Sequence, residues 1–234
     1  MNEYAQQLVP VSQAAPDERA AFIRRTYAHL AGAILAFVGL TAYMVNSPIA
    51  EMLLQVASAR FGWLMILGAF MILGQMASRL AYSTTNQSVQ YVGLTLYVIF
   101  EAVIFTPLLY IAAFYSSPEV LPTAGILTLG IAGGLTLVAF ATKKDFSFLR
   151  GILAIGFPVA IGLIVCALIF GFNLGLVFSF AMVLLASGSI LYTTSNMIHR
   201  YGTHQHVAAS LQLFASVALL FWYVLQIVMS FSRR

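Results

Sequence analysis

The sequence predicts an all-α, polytopic integral membrane protein built as one bundle of seven transmembrane helices, and three observations carry that prediction. Of its 234 residues, 61% are hydrophobic and only 8% charged, with a mean hydropathy of +0.94. A soluble domain carries about 25% charged residues, so this chain has too few to cover a water-facing surface. The apolar residues gather into seven runs, each near the roughly 20 residues needed to cross a bilayer. Short polar connections separate the runs and hold most of the charge.

Residues Met1 to Arg25 are polar, contain Pro10 and Pro16, and balance Glu3, Asp17 and Glu18 against Arg19, Arg24 and Arg25. No apolar stretch there reaches membrane length. Residues 1–25 therefore read as a flexible polar tail, and residues 26–234 as the transmembrane domain. The first apolar run starts late and is long enough to remain in the bilayer, unlike a cleaved secretory signal.

The runs extend from Tyr27 to Val45, Phe61 to Leu80, Tyr91 to Tyr115, Leu121 to Ala141, Phe148 to Phe172, Leu174 to Met197 and Val207 to Phe231. The first carries Ala28, Gly32 and Ala36 at four-residue spacing and the fourth carries Gly130 and Gly134, rows that let helix backbones approach one another. The second ends on Arg79. Pro107 and Pro158 sit inside the third and fifth and predict kinks. The tight link from Gly171 to Asn173 makes a helical hairpin of the fifth and sixth runs. The sixth begins apolar and ends in small and hydroxylated residues, Ser187, Ser189, Thr193 and Thr194, which lipid cannot satisfy. That end is expected to face protein or water. Cys166, the sole cysteine, lies in an apolar run and reads as a small apolar residue.

The net charge of +4 is distributed between the runs, as topology signals. With the N-terminus inside, eight of the eleven Lys and Arg residues fall on the cytoplasmic side: Arg19, Arg24, Arg25, Arg79, Lys143, Lys144, Arg150 and Arg200. Arg60, Arg233 and Arg234 fall outside. The bias predicts a cytoplasmic N-terminus. A re-entrant seventh segment, which would place the terminal arginines inside as well, is the alternative topology.

Glu101 is the most informative single residue. Ten residues beyond Tyr91, it stands about 15 Å along its helix, near the bilayer centre. A carboxylate there must be neutralised, paired or beside water, and its use in ion or proton movement is the default expectation. Arg79 closes the preceding helix on the side from which the third starts, and extends either inward to Glu101 or outward to lipid phosphates. Lys143, Lys144 and Asp145 form a charged loop in which the lysines suit an anionic cytoplasmic leaflet and Asp145 or Ser147 caps the fifth helix. His199, His204 and His206 lie in or beside the last loop and are expected to be solvated there, gaining charge below neutral pH. No nearby carboxylate or thiolate completes a metal site with them, and no cofactor is expected.

The sequence lacks an HExxH pair, a Gly-x-Ser-x-Gly elbow and a phosphate-cradling glycine loop. Its aspartates, Asp17 and Asp145, and its lysines, Lys143 and Lys144, all lie outside the apolar runs. An intramembrane aspartyl protease or a retinal pigment would need them inside. The chain is therefore expected to be non-enzymatic.

Seven short-looped helices, the loop TKKDFSFL at 142–149 and the run SGSILYTTSNMIH at 187–199 resemble the Bax inhibitor-1 family, and within it the bacterial YccA-type branch. The resemblance covers nearly the whole chain from Thr26 onward. It implies two functions. Calcium-leak members carry an aspartate in a Tyr-Asp-Thr motif of the sixth helix and another in the seventh, a pH-sensing pair closed by an arginine of the second helix. The matching positions here are Thr193 and Ser216, neither of which ionises, with Arg79 at the place of the arginine. A leak of calcium or another cation would then rely on Glu101 or the loop histidines. YccA-type members are linked instead to the membrane-anchored AAA protease FtsH, as substrates that resist and slow it. That implies a bacterial inner-membrane protein with FtsH as its partner, the lipid bilayer as its setting, calcium ions as the alternative ligand, and no nucleic acid.

Overall fold

The computed structural model describes residues 10–59, 61–83 and 86–232; Arg60, Arg233 and Arg234, used above to orient the bundle, lie outside the described residues. The helices are α1 (Pro16–Val45), α2 (Pro48–Ser58), α3 (Gly62–Ala81), α4 (Gln87–Phe114), α5 (Val120–Thr142), α6 (Leu149–Phe170), α7 (Gly175–His199) and α8 (His206–Ser232). All but α2 are long and apolar enough to cross a membrane. The chain is thus an all-α polytopic membrane protein.

Half of the most apolar stretch of α4 and of α8 is buried, against 11% of that of α6. The first two are central and the third faces lipid. Apolar side chains gain little by leaving lipid for protein, so close packing must hold the centre together. Phe37 of α1 meets Phe105 of α4 edge-on at 5.0 Å and Phe214 of α8 at 5.9 Å, and Phe214 meets Tyr97 at 6.3 Å. Where α3 crosses α4, Gly93 lies against the α3 backbone, with Ala77 and Ala81 fully enclosed.

The small-residue rows expected to bring helices together do not do so. Gly32, Gly130 and Gly134 have no atom within 4 Å of a built Cβ position, and Ala28 and Ala36 are exposed, so both rows face outward. Pro107 and Pro158 lie inside continuous helices. Gly171 takes a left-handed conformation, φ 73°, that closes α6 and turns the chain toward α7.

Two connections differ from expectation. The link between the first two spans contains α2, which starts on Pro48 and inserts Ala50, with Ile49 and Leu53 packed against the core. Met52 and Val56 stay exposed, while Glu51 accepts a hydrogen bond from the Tyr110 hydroxyl at 3.4 Å. This is the pattern of a helix lying along a membrane surface.

The second difference is at the start of the chain. The polar tail expected over residues 1–25 is ordered from Pro10 onward; residues 1–9 lie outside the described residues. α1 begins at Pro16, with Asp17 and Glu18 in its first turn, where the rigid ring and the helix dipole both favour such residues. One 3-10 turn, Val11–Gln13, precedes it and docks on the link between α7 and α8. The Val11 N–H donates to the Tyr201 carbonyl at 2.8 Å, and the Ser12 hydroxyl to the His199 carbonyl at 3.2 Å. Arg19 holds the turn from behind, donating to the carbonyls of Val11 at 3.1 Å and Ser12 at 2.8 Å. The Val11 side chain is fully buried.

Candidate functional site

Glu101 is the fifteenth of the 28 residues of α4, half-way along a central helix, and only 6% exposed. It lines a cavity of about 650 Å³ walled by α3, α4, α6, α7 and α8. Gln212, Ser216, Leu219, Tyr223 and Gln226 of α8 all line it, and their spacing makes one helical stripe. At 1.5 Å per residue that stripe runs about 21 Å. One end of the cavity reaches Asn173 and Gly175 at the α6–α7 turn.

The polar atoms are ordered among themselves. Ser216 donates its hydroxyl proton to the Gln212 carbonyl at 2.9 Å, which leaves Ser189 as donor in the 2.8 Å contact between the two serine hydroxyls. Aromatic rings form the rest of the wall near Glu101. Trp63 stacks on Trp222 at 5.7 Å, Phe105 meets Trp222 edge-on at 4.8 Å, and Phe70 meets Tyr97 at 6.0 Å. Tyr97 and Phe105 lie one helical turn on either side of Glu101, so the carboxyl sits between two aromatic groups. Among the described residues, no Lys, Arg or His lines the cavity.

Beyond Gln212, Tyr82 and Tyr201 stack with their hydroxyls 2.8 Å apart, and Tyr82 lies beside Gln212 and Tyr192. Burial pushes both phenols upward, and for Tyr201 the neighbouring Tyr82 adds to the shift. They remain neutral hydroxyls across physiological pH.

The polar end of α7 serves two purposes. Ser189 faces the cavity, whereas Ser195 accepts from the Phe146 N–H at 3.0 Å and donates to the Lys144 carbonyl at 3.3 Å, fastening the charged loop. Asp145 does not cap α6. Its carboxylate accepts the Ser147 N–H at 2.9 Å and faces Arg200 at 3.8 Å. The Ser147 N–H above all, then the Ser147 hydroxyl and the charge of Arg200, hold the Asp145 carboxyl below the usual range. Both members of the ion pair are half exposed, so it stabilises the loop only weakly. Lys143 and Lys144 are exposed.

Several expected site residues lie elsewhere. Arg79 is exposed on the last turn of α3 and is not part of the cavity wall. Thr193 is buried one turn beyond Ser189. His206 is not in a solvated loop; it opens α8, is 3% exposed and packs on His29 at 5.1 Å, which stacks in turn on Tyr91. The α8 helix starts one residue earlier than the apolar run, and that draws the histidine inside. His199 and His204 are half-buried, each with one ring nitrogen that has no hydrogen-bond partner among the described residues. The sequence reading missed Trp63, Trp222, Gln212 and Gln226. For the glutamines a signal existed, since amides are as poorly satisfied by lipid as the hydroxyls of α7.

The protein-family model described as "Inhibitor of apoptosis-promoting Bax1" matches residues 19–233, nearly all of the helical bundle. The chain belongs to this Bax inhibitor-1 family. Among relatives, Bax inhibitor 1 of Schizosaccharomyces pombe is 28% identical over 224 residues, covering 94% of this chain and 80% of the yeast protein. The Escherichia coli protein named Modulator of FtsH protease YccA is 36% identical over 109 residues, 43% of this chain and 49% of that one. An uncharacterized Pseudomonas aeruginosa protein, PA2604, is likewise 36% identical over 110 residues, 47% of this chain and 49% of its own length. The matches to the two bacterial relatives thus span about half of each relative's length. Membership of the Bax inhibitor-1 family and seven apolar spans make this an integral membrane protein.

Proposed function

We propose that this protein modulates the degradation of membrane proteins by an FtsH-type AAA protease, acting without catalysis as a partner that yields slowly. The observation that carries the reading is the pinned N-terminal turn. An unfoldase needs a loose segment to grip, and here Val11 and Ser12 bond the segment just ahead of α1 to the α7–α8 link while Arg19 braces the same turn from α1. The excess of Lys and Arg at that end of the bundle supports placing it in a bacterial cytoplasm. The E. coli relative named as an FtsH modulator supports the choice of protease.

Arg19→Ala removes both bonds of that brace. At about 1 kcal/mol each, their loss is expected to raise the population of the detached turn about tenfold or more. The half-life of the variant in the presence of FtsH should shorten, and its protection of a second FtsH substrate should fall. Unchanged turnover of both proteins would remove this reading.

A second reading, passage of calcium or another cation, is favoured by one observation: Glu101, Ser189 and Ser216 share the cavity although the aspartate pair of the leak branch is replaced at Thr193 and Ser216. Proteoliposomes loaded with a calcium indicator are expected to show a leak that Glu101→Gln reduces. A flux indifferent to that substitution would sink the second reading.

A further inference from the structure

We propose that the cavity is a binding site for a lipophilic organic cation, of the quaternary ammonium or phosphonium class, with Glu101 as its counter-ion. The inference is independent of the protease reading and rests on three features of the wall. First, Glu101 is 6% exposed and lines a space to which the described residues contribute no basic side chain. A carboxylate in such surroundings is costly to ionise alone, and a cation beside it offsets that cost. Second, aromatic side chains line the same cavity: Tyr97 and Phe70 as one contact pair, Phe105, Trp222 and Trp63 as another group. Ring faces attract cations, most strongly when water is excluded and when the ring is Trp. Third, the volume of about 650 Å³ falls within the range that encloses a small organic molecule.

The same wall disfavours a resident inorganic ion. Calcium takes about 6–8 oxygen ligands gathered on one point, whereas the cavity's carboxylate, two phenols, two serine hydroxyls and three side-chain amides are spread from Gln212 to the α6–α7 turn amid hydrocarbon. An organic cation needs no such shell. Its apolar substituents match the Ile and Phe side chains of α6, and it reaches the site readily because it partitions into the bilayer.

The chain has two tryptophans, and both line this cavity, so tryptophan emission, excited beyond the tyrosine absorption band, reports on its contents. The full-length protein in phosphatidylcholine nanodiscs is titrated with tetraphenylphosphonium and, separately, with tetraphenylborate, an anion of the same shape. Saturable change of Trp emission is expected with the cation and not with the anion. Glu101→Gln is expected to weaken the cation about tenfold or more, the loss of a buried charge pair and not of volume. Ala215→Phe keeps the carboxylate but fills space beside Ser216, and should weaken the cation as well. The proposal is overturned if the borate binds as well as the phosphonium, or if Glu101→Gln binds the phosphonium as tightly as the parent. Should Glu101→Gln fail to fold, the borate comparison and Ala215→Phe decide the matter by themselves.

Discussion

Gly93→Leu is expected to prevent the protein from accumulating in the membrane, and Gly93→Ala to lower its resistance to unfolding by about 1–3 kcal/mol or more. A Cβ at position 93 would stand 2.5 Å from the Ala81 nitrogen and 2.6 Å from the Ala77 oxygen. Both are backbone atoms of α3, which no rotamer change can move aside. The two helices must part, and parting them opens the Ala77 and Ala81 contacts along with the approach of Gly74 to Tyr97. Because Tyr97 lines the cavity, the damage spreads to the site. Gly32→Ala is the control: nothing lies within 4 Å of its Cβ position, and the gain in helix propensity should stabilise by up to about 1 kcal/mol. Unfolding of the purified variants by titration with sodium dodecyl sulfate measures both. Equal stability for Gly93→Ala and Gly32→Ala would show that the α3–α4 crossing is not what holds these helices.

The two glycines also mark where the sequence stops being legible. Spacing identifies small residues that share a helix face, but lipid and protein interior are both apolar, so spacing does not say which of them that face meets. Ala28, Gly32 and Ala36 make the more regular row and point outward; Gly93, with no small partner four residues away, makes the close contact. The seven spans are plain from hydropathy because length and charge scarcity are properties of each run alone. Glu101 is legible for the same reason: a carboxylate at mid-helix is conspicuous in any membrane span. Its surroundings are not, since Trp63, Ser189 and Trp222 come from helices whose relative rotation only packing sets. The start of α1 was written in the chain, as Pro16 followed by Asp17 and Glu18 is a helix-opening pattern. Balanced charge masks it, since charges that suit a tail also suit the part of a 30-residue helix that outruns the bilayer.

Phe214→Ala is expected to cost about 2–3 kcal/mol, and Phe214→Leu clearly less. Phe214 is 2% exposed and touches Phe37 and Tyr97, so it joins α1, α4 and α8 at the level just below Glu101. In a soluble core the loss would include the free energy of transferring the ring from water. In a bilayer the unfolded helix leaves the ring in hydrocarbon, and that contribution largely disappears. What remains is the void: truncation removes about 100 Å³, which at about 24 cal/mol per Å³ gives the figure above. Leu refills much of the space, though without the edge-on ring contacts. The measurement is again detergent unfolding, with the difference between the two variants as the quantity of interest. If Leu proves as damaging as Ala, ring geometry outweighs volume at this position. A loss for Ala far above 3 kcal/mol would mean that α1, α4 and α8 move out of contact around the void, since a void that merely stays empty or takes up water costs no more than the figure above. That last outcome would tie the integrity of the Glu101 site to the aromatic floor beneath it.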